Sequence, residues 1–259
     1  MADRPAGMRQ PVSRRLSKAY TEPGERAIFG AVTLLNGLLR PLTRRDWRAT
    51  DKLPRTGGLI VVANHISNAD PLALGQFLAY SGRWPRFLAK ASIFKVPVVG
   101  GILRACGQLP VERNSKRSGE GLAAAIEAVE QGRAVVVYPE GTISKDPDLW
   151  PMVGRTGAAR IALRTGCPVI PVGQWGAQEL LYGDQLGFPK ILPRKTLRLV
   201  VGDPIPLDDL RQLPLTAAIL DEATTRMMDA LAALVADLRG GEPPAQRYNP
   251  RAQPTEGPP

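Results

Sequence analysis

The chain has 259 residues, 44% of them apolar, and a formal net charge of +10 at pH 7. That apolar fraction excludes wholesale disorder, and the length suffices for one sizeable α/β domain with extensions. Two cysteines, Cys106 and Cys167, and a single histidine, His65, form no cluster of metal-ligand spacing and no disulfide framework. No metal or resident cofactor is therefore expected, and a reducing compartment is the default.

The charge is uneven, with ten Lys/Arg against four Asp/Glu in residues 1–48. Residues 1–25 are polar, basic and broken by Pro and Gly, which predicts a flexible arm without the apolar core of a signal peptide. Residues 27–42, AIFGAVTLLNGLLRPL, are mostly apolar but interrupted by Thr33, Asn36 and Arg40. A span needs roughly 20 apolar residues. Segment 26–48 is thus predicted to lie as an interfacial helix on an anionic membrane surface, where apolar burial and attraction to lipid charge add. The alternative is an amphipathic helix packed on the core. Aromatics make up only 5% of the chain and no nucleic-acid motif is present, which argues against a nucleic-acid partner.

From here strand-like and helix-like segments alternate. GLIVVAN (58–64) is an apolar run suited to a strand buried on both faces. DPLALGQFLAYSG (70–82) predicts a helix with Ser67 or Asp70 as cap and Pro71 in its first turn. Strands follow at 86–90 and 107–113, the second demoted toward an edge by Pro110. A helix runs from about Ser118 to Gly132, AVVVYPEG is a strand entering a loop, GAARIALRTG a helix, and PVIPVGQWG and TLRLVVGDPI two more strands. Leu220, Ala223, Met227, Leu231, Leu234 and Leu238 recur at helical spacing and read as a core stripe on a last helix over 216–238. Six prolines in residues 240–259 predict a disordered tail. The alternation predicts an α/β fold, a mostly parallel sheet flanked by helices.

In such sheets reactive groups gather where strands end and helices begin. His65 and Glu140 both follow an apolar strand run. A histidine can take a proton from a hydroxyl, and a carboxylate on its other ring nitrogen fixes its tautomer and steadies the imidazolium. Asp70, five residues on, can serve only if the chain turns between them, as at a strand-to-helix junction; otherwise it is a helix cap and His65 a locally bonded side chain. The chain has no G-x-S-x-G elbow, and Ser67 reads equally well as a cap, so the hydroxyl to be deprotonated is assigned to a substrate. Gly141 and Thr142 could offer an N–H and a hydroxyl to phosphate, or form a plain turn. Arg113 could pair with phosphate in bidentate fashion, or lie on the surface.

Taken together these stretches resemble the glycerolipid acyltransferases, the family of 1-acylglycerol-3-phosphate acyltransferases. Four blocks match in order over about residues 50–205: Asn64-His65 through Asp70, Gly107 to Arg113, Pro139-Glu140-Gly141-Thr142, and Val169-Ile170-Pro171-Val172. The resemblance implies an acyltransferase domain over 49–239 that moves a fatty acyl group from acyl-CoA or acyl carrier protein, as co-substrate, to the hydroxyl of a lysophospholipid acceptor. It gives His65 the role of base and Asp70 that of its orienting partner. Arg113, Glu140, Gly141 and Thr142 inherit binding of the glycerol-phosphate part, and Lys90 is added to them as a substrate-binding residue; Asn64, Ser67, Gly107 and Pro171 take supporting roles. Many members carry arginine directly after the E-G-T, where this chain has Ile143; that phosphate contact passes to Lys145, Lys90 or Arg155. The expected setting is the cytoplasmic face of the cell membrane, with peripheral or monotopic attachment. Competing expectations are the same chemistry on glycerol-3-phosphate or on another lysophospholipid or glycolipid, and a non-catalytic peripheral lipid-binding protein.

Overall fold

A computed structural model describes residues 16, 25–112, 118–181 and 190–252. In chain order its elements are α1 (Glu25–Leu42), β1 (Thr43–Arg48), β2 (Leu59–Ala63), α2 (Asp70–Tyr80), β3 (Pro85–Lys90), α3 (Val99–Ala105), β4 (Leu109–Val111) and α4 (Ser118–Glu130). Then come β5 (Ala134–Val137), α5 (Gly157–Thr165), β6 (Val169–Trp175), α6 (Ala177–Leu180), β7 (Lys195–Val201), α7 (Asp208–Arg211) and α8 (Ala217–Arg239). Short 3-10 turns occupy Thr50–Lys52 and Ala91–Lys95. The seven strands form one sheet in the order β1-β7-β6-β2-β5-β3-β4. Every neighbouring pair is parallel except β6 and β7, which run antiparallel. This is the mostly parallel, helix-flanked sheet expected.

β2 shows why. All five of its residues are fully buried, and alternation sends Val61 and Ala63 to one core and Ile60 and Val62 to the other. The first core is closed by α1 and α2, the second by α4, α5, α7 and α8. α2 has no polar face, so it is buried almost all round between the sheet and α1. α8 begins with the Thr216 hydroxyl accepting the Ile219 N–H at 3.3 Å. Most of its expected stripe is buried; Leu234 is only half-buried and the stripe continues through Val235. β4 is an edge strand, where Pro110 leaves no central ladder bond unmade.

Two expectations change. Segment 26–48 is not one helix: the chain turns at Leu42, and residues 43–48 form β1, paired with β7. Three arginines disguised this strand, yet Thr43, Asp46 and Trp47 are buried, and Trp47 meets Phe77 edge-on at 5.5 Å. The tail expected to be disordered from residue 240 instead runs back over the domain as far as residue 252. Val153 N–H donates to Tyr248 O at 3.0 Å, Arg251 reaches Gly154 O at 3.2 Å, and Arg247 pairs with Asp229. These polar anchors offset what the prolines withhold. The basic arm before residue 25, apart from Leu16, and residues 253–259 lie outside the described residues.

Candidate active site

The sheet order switches direction around β2: the chain goes from β2 to β3 on one side, returns through β5, and passes to β6 on the other. The crevice beyond the strand C-termini at such a switch is where α/β folds bind ligands. His65 follows β2, the Tyr138-Pro139-Glu140-Gly141 turn follows β5, and Gln174 and Trp175 end β6.

The chain between β2 and α2 folds so that His65 and Asp70 meet. Asp70 Oδ2 lies 2.9 Å from His65 Nδ1 and also accepts the N–H groups of Ile66 at 2.6 Å and Ser67 at 2.7 Å. A carboxylate only accepts, so Nδ1 carries the ring proton and Nε2 is the basic nitrogen. Asp70 is fully buried while the imidazole stays slightly exposed. Burial raises the Asp70 carboxyl above the usual range, against the pull of the ring and the two backbone N–H groups.

The histidine backbone is held from both sides by the third block. His65 N–H donates to Glu140 Oε1 at 3.0 Å, and Ser144 N–H donates to His65 O at 2.7 Å. The other Glu140 oxygen accepts Met152 N–H at 3.1 Å. Glu140 is nearly inaccessible, and burial pushes its carboxyl up to about 8, those two N–H bonds pulling it down and the nearby Asp70 charge adding to the rise. Both of its oxygens serve the backbone, so its surroundings are those of a brace and differ from the substrate contact expected.

Other expected residues sort by position. Asn64 cross-links β2 to β6: its side-chain amide donates to Gln174 O at 3.0 Å and accepts Gln174 N–H at 2.9 Å, while Gln174 Nε2 donates to Asn64 O at 2.6 Å. The Ser67 hydroxyl donates to Leu181 O at 2.6 Å and accepts Ala69 N–H at 3.0 Å, so it is committed to structure. Gly107 has φ +63°, and a Cβ there would lie 2.7 Å from Arg86 Nη1, which fixes glycine where the second block enters β4. Gly141, at φ +73°, turns the third block and has the Arg155 side chain against it, where a Cβ would meet Nε at 2.8 Å. Thr142 is half-buried in that turn, Ile143 is buried and Lys145 exposed. Lys90 ends β3, exposed, on the sheet edge that carries His65. Arg113 lies outside the described residues.

Pro171 is placed apart from this group. It pairs with Val62 inside β6 and faces α8, where it lines a cleft of about 550 Å³ with Gly202, Ile205 and Leu234. That cleft includes none of His65, Asp70 or Glu140.

Sequence reasoning missed two residues. The Tyr138 ring stacks on His65, centroids 4.2 Å apart and planes 18° apart, and its hydroxyl is buried beside Gln174. Burial, then the Asp70 charge, pushes the Tyr138 phenol well up. Gln174 carried a usable signal, a glutamine inside an otherwise apolar strand; Tyr138 carried none beyond its place in the third block.

A base oriented by a buried carboxylate, at the mouth of a mostly parallel sheet, defines a site able to deprotonate a hydroxyl. The Acyltransferase family model matches residues 44–175, half of the chain, and the protein belongs to that family. Its relatives include the chloroplastic 1-acyl-sn-glycerol-3-phosphate acyltransferase of Brassica napus, 33% identical over 170 residues, 64% of this chain and 46% of that protein. The enzyme of the same name from Borreliella burgdorferi is 32% identical over 125 residues, 48% of each chain. That of Escherichia coli is 29% identical over 148 residues, 56% of each. The chain spans about half the length of the curated relatives it matches. The same fold occurs in the 1-acyl-sn-glycerophosphate (LPA) acyltransferase PlsC of Thermotoga maritima, with TM-score 0.61 and 22% identity over 85% of this chain and 84% of that one.

Proposed function

We propose that the protein transfers a fatty acyl group from acyl-CoA, or acyl carrier protein, to the free hydroxyl of 1-acylglycerol-3-phosphate, giving phosphatidic acid in phospholipid synthesis. The observation that carries this reading is the His65–Asp70 contact at 2.9 Å, with the ring's basic nitrogen turned away from the carboxylate. His65 Nε2 takes the acceptor's hydroxyl proton as that oxygen bonds to the thioester carbonyl carbon. The C–S bond then breaks, and the thiolate leaves with the proton from the imidazolium. Ser67 is bonded to carbonyl oxygens, so it has no part as a nucleophile, and no acyl-enzyme forms.

The acceptor phosphate is assigned to Lys90 and Arg113, with Arg155 beside Gly141 supplying the cation that Ile143 does not. Among the described residues no helix is long and apolar enough to cross a membrane. α1 is proposed to lie on the anionic cytoplasmic face: Ile28, Val32 and Leu39 pack inward while Leu34 and Leu38 are exposed.

The test is purified protein with palmitoyl-CoA and lysophosphatidic acid, following free thiol. Release is expected, and His65→Ala should lower it about 10²–10⁴-fold. Turnover within a few-fold of wild type, or a trapped acylated side chain, would reject the mechanism. Glycerol-3-phosphate and other lysophospholipids in the same assay identify the acceptor.

A further inference from the structure

Between β3 and β4 the chain displays apolar side chains to solvent with no acidic residue among them. Ile93, Val96, Val98, Val99 and Ile102 are all exposed, Val98 at 77%. Among the described residues, eight of the twelve exposed large apolar side chains lie either in this segment, 91–105, or on α1 and α2, as Leu34, Leu38 and Leu72. α1 contacts both α2 and α3, so these elements adjoin.

Val98 is also strained. Its φ of 65° and ψ of −57°, with Val99 N–H donating to Pro97 O at 2.7 Å, make it the centre of the rarer, unfavourable kind of γ-turn. A β-branched residue at positive φ is an outlier that persists only when its surroundings impose it. Gly100 N–H to Val96 O at 2.8 Å and Arg104 to Phe94 O at 2.7 Å hold the turn closed. The fold thus keeps an unfavourable turn in order to present a valine to water.

Charge identifies what covers it. Residues 91–105 carry Lys95 and Arg104, both exposed, and no carboxylate. The carboxylates of α1 and α2, Glu25 and Asp70, are both buried. By contrast α8 on the other face of the sheet exposes Glu222, Asp229 and Asp237. An apolar tip with two exposed cations and no carboxylate in its segment fits the headgroup region of an anionic bilayer.

We propose that residues 91–105, led by Val98 and Ile102, form a second membrane contact beside α1. The proposal rests on the reading that the protein works at a lipid surface, and it adds where the bilayer meets the catalytic edge. Segment 91–105 begins directly after Lys90, and Leu72 lies in the first turn of α2, two residues from Asp70. A lipid acceptor would pass from bilayer to His65 without crossing open water.

The experiment is co-sedimentation of the full chain with vesicles of equimolar phosphatidylglycerol and phosphatidylcholine, and with phosphatidylcholine alone. Intact protein should bind the mixed vesicles, and more weakly the neutral ones. The double variant Val98→Glu, Ile102→Glu should bind about tenfold more weakly or worse. Leu213→Glu, an exposed leucine elsewhere, should leave binding unchanged. Val98→Gly should bind less while melting higher, since glycine relieves the turn; a residue serving structure alone would not give those opposite signs. Undiminished binding by the double variant overturns the proposal while leaving the membrane reading intact. Failure of intact protein to bind overturns both. Loss of a dimer in the double variant, with vesicle binding unchanged, assigns the patch to a second copy and also overturns it.

Discussion

The ring of Tyr138 lies flat on the imidazole of His65, 4.2 Å between centroids, and the Phe87 ring continues the stack at 6.3 Å from Tyr138. The proposed base, His65, is therefore held edge-on by Asp70 and face-on by Tyr138, which restricts both its rotation and its tilt. Aromatic contacts of this kind are worth about 0.5–1.5 kcal/mol. Tyr138→Leu should accordingly lower kcat by roughly two- to tenfold, while Tyr138→Phe, which keeps the stack, should stay near wild type. Equal losses in both variants would move the role from the ring to the hydroxyl.

Asp70→Asn preserves size but removes the charge that steadies the imidazolium. With its carbonyl oxygen at the Oδ2 position it still accepts Nδ1–H and the Ile66 and Ser67 N–H groups, and its NH₂ falls at the Oδ1 position, which has no hydrogen-bond partner among the described residues. The tautomer is kept, but the imidazolium formed on taking a hydroxyl proton loses its counter-charge, so Nε2 becomes a weaker base. A drop in kcat of up to roughly 10²–10⁴-fold, the usual worth of a general base, is expected. The melting temperature should change by only a few degrees, and steady-state kinetics with a thermal melt separates the two effects.

Ser67→Ala distinguishes catalysis by the base alone from nucleophilic catalysis. The hydroxyl bonds to Leu181 O at 2.6 Å and Ala177 O at 3.3 Å, so its removal should cost about 1 kcal/mol of stability and leave kcat within a few-fold. Abolished turnover in a folded Ser67→Ala protein would count against the mechanism.

Glu140 links pH to the shape of the site. Its carboxyl titrates at about 8 when folded, against an ordinary 4.5. A carboxyl raised on folding stabilises the native state fully below about pH 4.5 and loses that contribution as pH climbs through about 8. The wild-type melting temperature should therefore fall across that window. Glu140→Gln, which cannot ionise, should be less stable at low pH because it gives up one of the two N–H bonds, with the gap narrowing as pH rises. Thermal melts of both proteins from about pH 5 to about pH 9 measure this, and a constant gap would refute it.

Gly107→Ala should be destabilising by about 1–3 kcal/mol, because the backbone there is left-handed and the added methyl meets the buried Arg86 guanidinium. Thermal melting reports it directly. Gly101, with open space where a Cβ would go, is the control.

The sheet was largely legible because its strands are buried on both faces and so read as unbroken apolar runs, β2 and β5 most clearly. β1 was not: a strand on the sheet's margin needs only Thr43, Asp46 and Trp47 inside, and its three arginines matched the basic arm before it. The meeting of His65 with Asp70 could be anticipated from spacing plus a strand-to-helix turn. The brace from Glu140 could not, because its carboxylate reaches a backbone amide 75 residues away, and amides leave no mark in a sequence. Pro171 shows the converse, a motif position whose side chain the alternation of β6 turns toward α8.

The bonds around the histidine also set an order of assembly. His65 is tied to Glu140 across 75 residues, Asn64 to Gln174 across 110, and Ser67 to Leu181 across 114. Loop closure over such spans is slow and comes late. A growing chain therefore carries its histidine long before Glu140 and Gln174 can brace it, and the frame around His65 is complete only when β5 and β6 flank β2.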